Sequence, residues 1–298
     1  MIKRTLYFGN PAYLKTSNEQ LVIEMQHGGE TKTVPIEDIG LLILDHSQIT
    51  VTQALMAKLL ANNTALVTCD HTHHPTGMLL NLEGNSLQSL KIQAQAEASV
   101  PLKKQLWQQT VIAKIQNQAA HLKKQNIENK LLLSWAAEVK SGDSENHEAK
   151  SAAYYWKRVF PDFLEFKRER YGPPPNNLLN YGYAIIRAMV ARSLVASGLL
   201  PTLGIFHRNQ YNAYCLADDI MEPYRPFADL VVNNIIRMNG KFLEMTPNMK
   251  KELLAIPAMD VELEGKKSPL MNAVQRTTAS LAKCFEGKSR KLLYPVLE

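Results

Sequence analysis

Up to about Cys69 the apolar residues of this chain come in short bursts separated by turn-forming residues. Arg4–Phe8, Ala12–Leu14, Leu21–Ile23, Lys32–Val34, Leu41–Leu44 and Ala65–Thr68 are bounded by Gly, Asn, Pro or Asp, the punctuation of β-strands. His27-Gly28-Gly29-Glu30 lies between two of these runs and predicts a hairpin turn, because glycine accepts the positive φ such turns need. One helix interrupts the strands: Thr50 and Gln53 have capping-box spacing, and the segment they open ends near Asn62-Asn63. From Ser86 the period changes to three and four. Leu87–Glu97, Leu102–Asn117 and Lys130–Val139 predict helices, with Pro101 in a first turn, and residues 232–297 continue in that period around a loop at Gly265–Pro269. Leucine, isoleucine and tryptophan recur through the Gln-rich part of this text, which argues for packed helices over a disordered tract. The pattern predicts an α+β chain: a small N-terminal β-rich domain at 1–75 with one short helix, a linker at 76–85 and a larger α-helical domain at 86–298.

The chain is 298 residues long and 45% apolar, enough for one large core or two modest ones. A net charge of +6 favours phosphate-bearing partners only slightly. Cys69, Cys215 and Cys284 form no CxxC pair, the start does not resemble a signal peptide, and no apolar run reaches the roughly 18 residues of a membrane span. The expectation is a cytoplasmic protein without a membrane partner.

Several polar groups then compete for chemistry. Asp143 or Ser144 can cap a helix that carries Glu148 in its early turns and an apolar stripe at Ala149, Ala152, Ala153, Trp156 and Phe160. Glu148 either complements the helix dipole or is held at a cleft edge for a hard cation; His147, about 100° around the helix, stays outside that set. Asp219 and Glu222 share a helical face, and Pro223 disfavours helical backbone at Glu222, marking a helix end. His207 could share a cation with Glu222 only if the chain turns between them, and Arg208–Asn212 is the polar place for it. Two carboxylates with one imidazole suit Mn²⁺, or Mg²⁺ completed by water, whereas the lack of nearby cysteine argues against closed structural zinc. A surface acidic turn and a helix-capping His account for the same letters. His71-Thr72-His73-His74-Pro75 reads as a solvated inter-domain loop, and the pairs Lys103-Lys104 and Lys123-Lys124 as solvated helix faces or DNA-backbone contacts.

The wording of three segments adds to their spacing. Asn176–Tyr183, then Gly204–His207, then Leu216-Ala217-Asp218-Asp219-Ile220-Met221-Glu222-Pro223-Tyr224-Arg225-Pro226 closely resemble the CRISPR-associated spacer-acquisition integrase and endonuclease family, in the branch of type II systems. The resemblance runs over nearly the whole chain. It implies that Glu148, His207 and Glu222 are the catalytic metal ligands for Mg²⁺ or Mn²⁺, that Asp219 is a supporting acid, and that the helical domain is the catalytic one. It further implies a homodimer working with a small second adaptation subunit. Such an assembly inserts the 3′ ends of a double-stranded DNA prespacer into CRISPR repeat DNA by transesterification, and hydrolyses DNA when water replaces the 3′-hydroxyl. The type II branch connects to the RNA-guided effector nuclease and an accessory adaptation protein. Arg187, Arg192, Arg208 and Arg225 surround the implied site and are candidate DNA contacts, with structural ion pairs as the competing role. A nuclease for branched DNA, or a noncatalytic DNA-binding scaffold, would share part of this pattern.

Overall fold

The computed structural model describes residues 3–25, 30–163, 166–240 and 242–297. Strands β1 (Arg4–Phe8), β2 (Ala12–Ser17), β3 (Gln20–Met25), β4 (Lys32–Pro35), β5 (Ile39–Leu44) and β6 (Thr50–Val51) precede helix α1 (Gln53–Ala61) and strands β7 (Ala65–Cys69) and β8 (Pro75–Leu79). They form two four-stranded sheets, ordered β1-β5-β7-β8 and β4-β3-β2-β6. Residues 26–29, which hold most of the expected hairpin turn, lie outside the described residues; β3 and β4 on either side pair antiparallel.

β5 shows why one apolar run organises the molecule. In register, Leu41 pairs Ala65, Leu42 pairs Leu66 and Ile43 pairs Val67. Because side chains alternate along a strand, Leu42 and Leu66 enter a small core with Leu14, Leu21, Leu55 and Leu59. Leu41, Ile43, Ala65 and Val67 join the core of the helices. A strand buried on both faces reads as a continuous apolar run, and β5 is Ile-Gly-Leu-Leu-Ile-Leu.

The helices follow: α2 (Gln88–Ala96), α3 (Val100–Lys124), α4 (Lys130–Glu138), α5 (His147–Trp156), α6 (Asn176–Ala196), α7 (Cys215–Met221), α8 (Arg225–Asn239) and α9 (Pro247–Leu254). A hairpin of β9 (Asp260–Leu263) and β10 (Lys266–Pro269) leads into α10 (Leu270–Phe285). The mixed α+β architecture with strands first and helices after is thus as expected. Pro101 lies in the first turn of α3, where its missing N–H costs nothing.

Four local readings need correction. The cap of α1 is Thr52, whose hydroxyl accepts from the Leu55 amide at 3.4 Å, while Thr50 lies in β6. The His71–His74 segment is the turn of the β7–β8 hairpin instead of an inter-domain loop: Asp70 accepts from the Thr72 and His74 amides, and His73 donates to Asp45 at 2.8 Å. Asp45 also accepts from Tyr7 and from Lys250 of α9, tying the sheet's end to the helices. Residues 260–269 form a hairpin inside the stretch expected to be helical, since four alternating residues are too few to stand out between apolar helices. On α5 the buried line is His147, Ser151 and Tyr155, with Ala149 and Ala153 exposed; Tyr155 can be buried because its hydroxyl is bonded on both sides, to Asp229 and His121.

Candidate active site

Three elements bring the chemistry together. α3 runs through the helical core, and its buried side includes Trp107, Val111, Lys114, Gln118 and His121, at spacings of three and four. α5 starts beside it. Asp143, ahead of that helix, accepts from the His147 amide at 2.8 Å and the Glu148 amide at 2.9 Å, which satisfies two of the donors that a helix start leaves unpaired. The cap therefore fixes the backbone of Glu148. The third element is the run from α7 into α8, joined by a short 3₁₀ turn, Glu222–Tyr224. Glu222 keeps helical dihedrals, φ −52° and ψ −46°, contrary to the break expected from Pro223. Pro223 and Pro226 each take a first-turn position of the next helical segment, where proline is tolerated.

The Lys114 ammonium lies between the two glutamates, with Nζ 2.8 Å from Glu148 Oε1 and 2.6 Å from Glu222 Oε2. Arg225 donates to the other Glu222 oxygen at 2.9 Å and lies over the Tyr183 ring, 4.5 Å from its centre. Burial opposes ionisation of Glu222, but Arg225 and Lys114 outweigh it and hold the carboxyl down at about 2. Glu222 Oε2 is buried, and the Lys114 ammonium is the charge that compensates it.

His207 is positioned from the opposite side. The chain leaves α6, passes Gly204 and turns through residues 207–212 before α7, the turn expected there. Asp219, fully buried on α7, gathers this loop: it accepts from the amides of Ile205 at 2.7 Å, Phe206 at 2.9 Å and His207 at 3.2 Å, and from His207 Nδ1 at 2.5 Å. A Cβ at Gly204 would stand 2.3 Å from the His207 carbonyl and 2.9 Å from Asp219 Oδ2, so only glycine lets the loop close. An ionised carboxylate only accepts, which makes Nδ1 the protonated nitrogen and leaves Nε2 as the ring's lone pair. The Asp219 hydrogen bond raises the His207 pKa against burial, and the charges of Glu222 and Glu148 reach the ring and push the same way. Trp107 braces the loop, stacked on Phe206 at 4.2 Å and edge-on to His207 at 5.8 Å.

Glu148 and Glu222 thus meet across Lys114, and His207, held by Asp219, lies near enough for the charges of both glutamates to act on its ring. Among the described residues no three His, Cys, Asp or Glu side chains stand close enough to hold one ion as arranged. The donor chemistry nevertheless suits a hard divalent cation: two carboxylates already face one cationic group, and Asp219 holds an imidazole nitrogen's proton on the other side of its ring. His147 faces away, 3.6 Å from Glu138 and 3.7 Å from Asp143.

The basic candidates divide. Arg208 is exposed beside His207, Arg187 is partly exposed and bonds Asp218 at 2.7 Å, and Arg225 serves Glu222. Arg192 is only 3% exposed and donates to the Asn63 carbonyl, a packing contact that leaves no surface for a ligand. Sequence reading passed over Lys114 and Arg168. Arg168 is held by the side-chain oxygens of Asn176 and Asn180 at 3.0 and 2.6 Å, so those asparagines organise an arginine next to the cleft. A cavity of about 360 Å³ opens there between Arg168, Arg170, Arg187, Arg225 and His74. The signal for Lys114 was its place in the buried period of α3, where a lysine without a partner would be costly.

A fold of sheets feeding a helical domain, with paired acids beside an oriented imidazole under an arginine-lined opening, is the framework of an enzyme that acts on DNA, a class its relatives share. A "CRISPR-associated endonuclease Cas1" from Neisseria meningitidis is 36% identical over 98% of this chain and 95% of its own length. The sequence model of the family described as "CRISPR associated protein Cas1" matches residues 6–242, and the chain belongs to that family. Two solved structures share the fold: a casposase bound to integration product (TM-score 0.80, 19% identity, 98% of this chain and 92% of that one), and a chain of a Cas6-RT-Cas1–Cas2 complex (TM-score 0.77, 18% identity, 100% of this chain and 37% of that one).

Proposed function

We propose that this protein is a metal-dependent CRISPR adaptation integrase that joins prespacer 3′ ends to repeat DNA and also cuts DNA. The observation that supports it most is the pairing of Glu148 and Glu222 across a single cation position, with the imidazole of His207 oriented beside them by Asp219. In this reading Glu148, Glu222 and His207 Nε2 hold Mg²⁺ or Mn²⁺. The ion, when bound, supplies charge neutralisation at the attacked phosphate and at the departing oxygen. Asp219 keeps the Nδ1 proton in place so that Nε2 faces the acids with its lone pair. Arg225 keeps Glu222 ionised, and Asp143 keeps Glu148 at the site by pinning its backbone amide. Arg187 and Arg208 meet phosphates of the DNA and set its position.

The reaction is an in-line exchange. The 3′-hydroxyl of the prespacer loses its proton and forms the new O–P bond, while the bond from phosphorus to the repeat's own 3′-oxygen breaks and that oxygen leaves as a hydroxyl. Water in place of the 3′-hydroxyl gives hydrolysis at the same centre. Residues 86–298 carry this chemistry and residues 1–75 form the accompanying unit; of the expected linker 76–85, the part up to Leu79 is strand β8 of that unit's sheet, and residues 80–85 join the two. The protein works as a homodimer with the small second adaptation subunit, as the presence of a chain of this fold in a Cas1–Cas2 complex supports. In the type II branch, connection to the effector nuclease and an accessory adaptation protein follows. No helix among the described residues is long and apolar enough to cross a membrane, and the cytoplasm, where the DNA is, is the proposed location.

The test is joining of a labelled prespacer to repeat-containing DNA by this protein with its small partner, in Mg²⁺ or Mn²⁺ and in chelator. Glu148→Ala, His207→Ala and Glu222→Ala should each reduce joining by at least about 1,000-fold, as expected for groups acting as one unit, with folding and assembly intact. Full activity in all three variants would remove the site assignment, and unchanged joining in chelator would remove the metal.

A further inference from the structure

The site already contains a cation of its own. The Lys114 side chain is 10% exposed, and its ammonium touches one oxygen of each glutamate. It hydrogen-bonds Glu148 and forms an ion pair with Glu222. An ammonium between two carboxylates occupies a point of negative potential. The same point suits an oxygen-seeking divalent ion: the two carboxylate oxygens would each need to close in by roughly 0.5–0.7 Å to reach the Mg²⁺–oxygen distance of about 2.1 Å. Both cations cannot occupy it together, since like charges at that separation repel strongly in a buried site.

Space for the alternative position lies next door. A cavity of about 140 Å³ is lined by Lys114, Gln118, Trp156, Tyr183, Glu222 and Asp229 and by two arginines, Arg168 and Arg225. Gln118 is on the same buried side of α3, and its carbonyl oxygen is buried without a hydrogen-bond donor. Asp229 presents a second acceptor there. A lysine's four-carbon stem lets its ammonium pivot while the helix stays still.

We propose that Lys114 is an internal competitor for the metal: its ammonium holds the Glu148–Glu222 position in the metal-free protein and is expelled toward Gln118 and Asp229 when a divalent ion binds. The inference rests on the proposed metal site and adds an exchange to it. Lys114 keeps the two buried acids compensated while the site waits, and this weakens metal binding. Lys114 is thus a positioning residue for the ligands.

The experiment measures Mn²⁺ binding to the full chain, without DNA, by the paramagnetic resonance signal of free aqueous Mn²⁺. Lys114→Met should bind Mn²⁺ at least about tenfold more tightly than the unmodified chain, because the ion no longer displaces a resident charge. Its thermal midpoint without metal should fall, and Mn²⁺ should raise it by more than it raises the unmodified chain's. Lys114→Gln, polar and of similar length, repeats the test should the methionine variant not fold. In the unmodified protein, the Lys114 methylene next to nitrogen, assigned by its loss in Lys114→Arg, should shift on Mg²⁺ addition along the binding curve. Unchanged or weaker Mn²⁺ binding in both neutral variants, with binding abolished in Glu222→Gln, makes Lys114 a fixed partner and overturns the exchange while the site stands. An unshifted methylene also overturns it. Mn²⁺ binding indifferent to Glu222→Gln overturns the exchange and the site together.

Discussion

Glu222 and Asp229 are two carboxylates that enter the same cavity from consecutive helical segments, and their surroundings make them different acids. Glu222 is 6% exposed and Asp229 1%, so burial penalises the charge of both. Glu222 meets an ammonium and a guanidinium, and its carboxyl is held at about 2. Asp229 accepts from the Tyr155 hydroxyl at 2.9 Å and the Tyr183 hydroxyl at 2.5 Å, with the arginines Arg168 and Arg225 further off; burial prevails and lifts it to about 6. Behind Tyr155 stands His121, which burial keeps neutral by lowering it to about 3. Neutral hydroxyl donors satisfy a carboxylate's geometry without fully compensating its charge. The difference separates an acid prepared for a cation from one that belongs to the packing of three helices.

The contrast breaks most directly in the pH dependence of stability. For Glu222 the folded pKa lies below the ordinary 4.5, so its contribution is present above about pH 4.5 and is lost as pH falls toward 2. For Asp229 the folded pKa lies above the ordinary 3.8. The unfolded chain then ionises first, and stability is lost as pH rises from about 4 through 6. Urea unfolding of the unmodified chain, Glu222→Gln and Asp229→Asn across this range should give difference curves of opposite slope, each on the order of 3 kcal/mol at most. Parallel curves would show that the two acids share one environment and would dissolve the comparison.

Asp219 sharpens it as a third case. It is fully buried yet receives four donors, three of them backbone amides, and its work is directional. Asp219→Asn keeps the size but presents an amide where the loop needs an acceptor, so His207 loses its tautomer and its place. Strand joining should fall by about 10- to 100-fold, the range for a group that orients a ligand, with metal affinity falling alongside. A variant that lost stability but joined DNA at the normal rate per folded molecule would assign Asp219 to folding alone.

The sequence carried some of this and hid the rest for physical reasons. β5 and α3 were legible because burial imposes a period on apolar letters, two for a strand and three to four for a helix. Asp143 was legible as a cap, since a short acid before a helix has few other local uses. Glu148, His207 and Glu222 stood out by the wording around them; spacing alone left them open, because how near they come depends on the turn at 207–212 and on α3, whose Lys114 touches both glutamates. Lys114 was legible only in part: its place in the buried period of α3 marks it, but what it pairs with shows only once the two glutamates facing it are placed. Arg192 erred the other way, since a buried arginine spelled among alanines and valines reads like any basic candidate near the site.

The smallest expected effect separates charge that builds the site from charge that meets DNA. Arg225 is spent on Glu222 and Tyr183, whereas Arg208 is exposed on the loop that Asp219 gathers, next to the His207 imidazole. Under the proposed function, this exposed guanidinium is the one expected to meet a phosphate of bound DNA. Arg208→Ala should weaken DNA binding by a few-fold, equally for different sequences, and lower the slope of log affinity against log salt by about one, the signature of a single lost phosphate contact. Mn²⁺ affinity should not move, because no ligand is touched. Fluorescence anisotropy on a labelled duplex from low to moderate salt measures the slope. An unchanged slope with reduced joining would place Arg208 with Arg225, as part of the site's internal balance of charge.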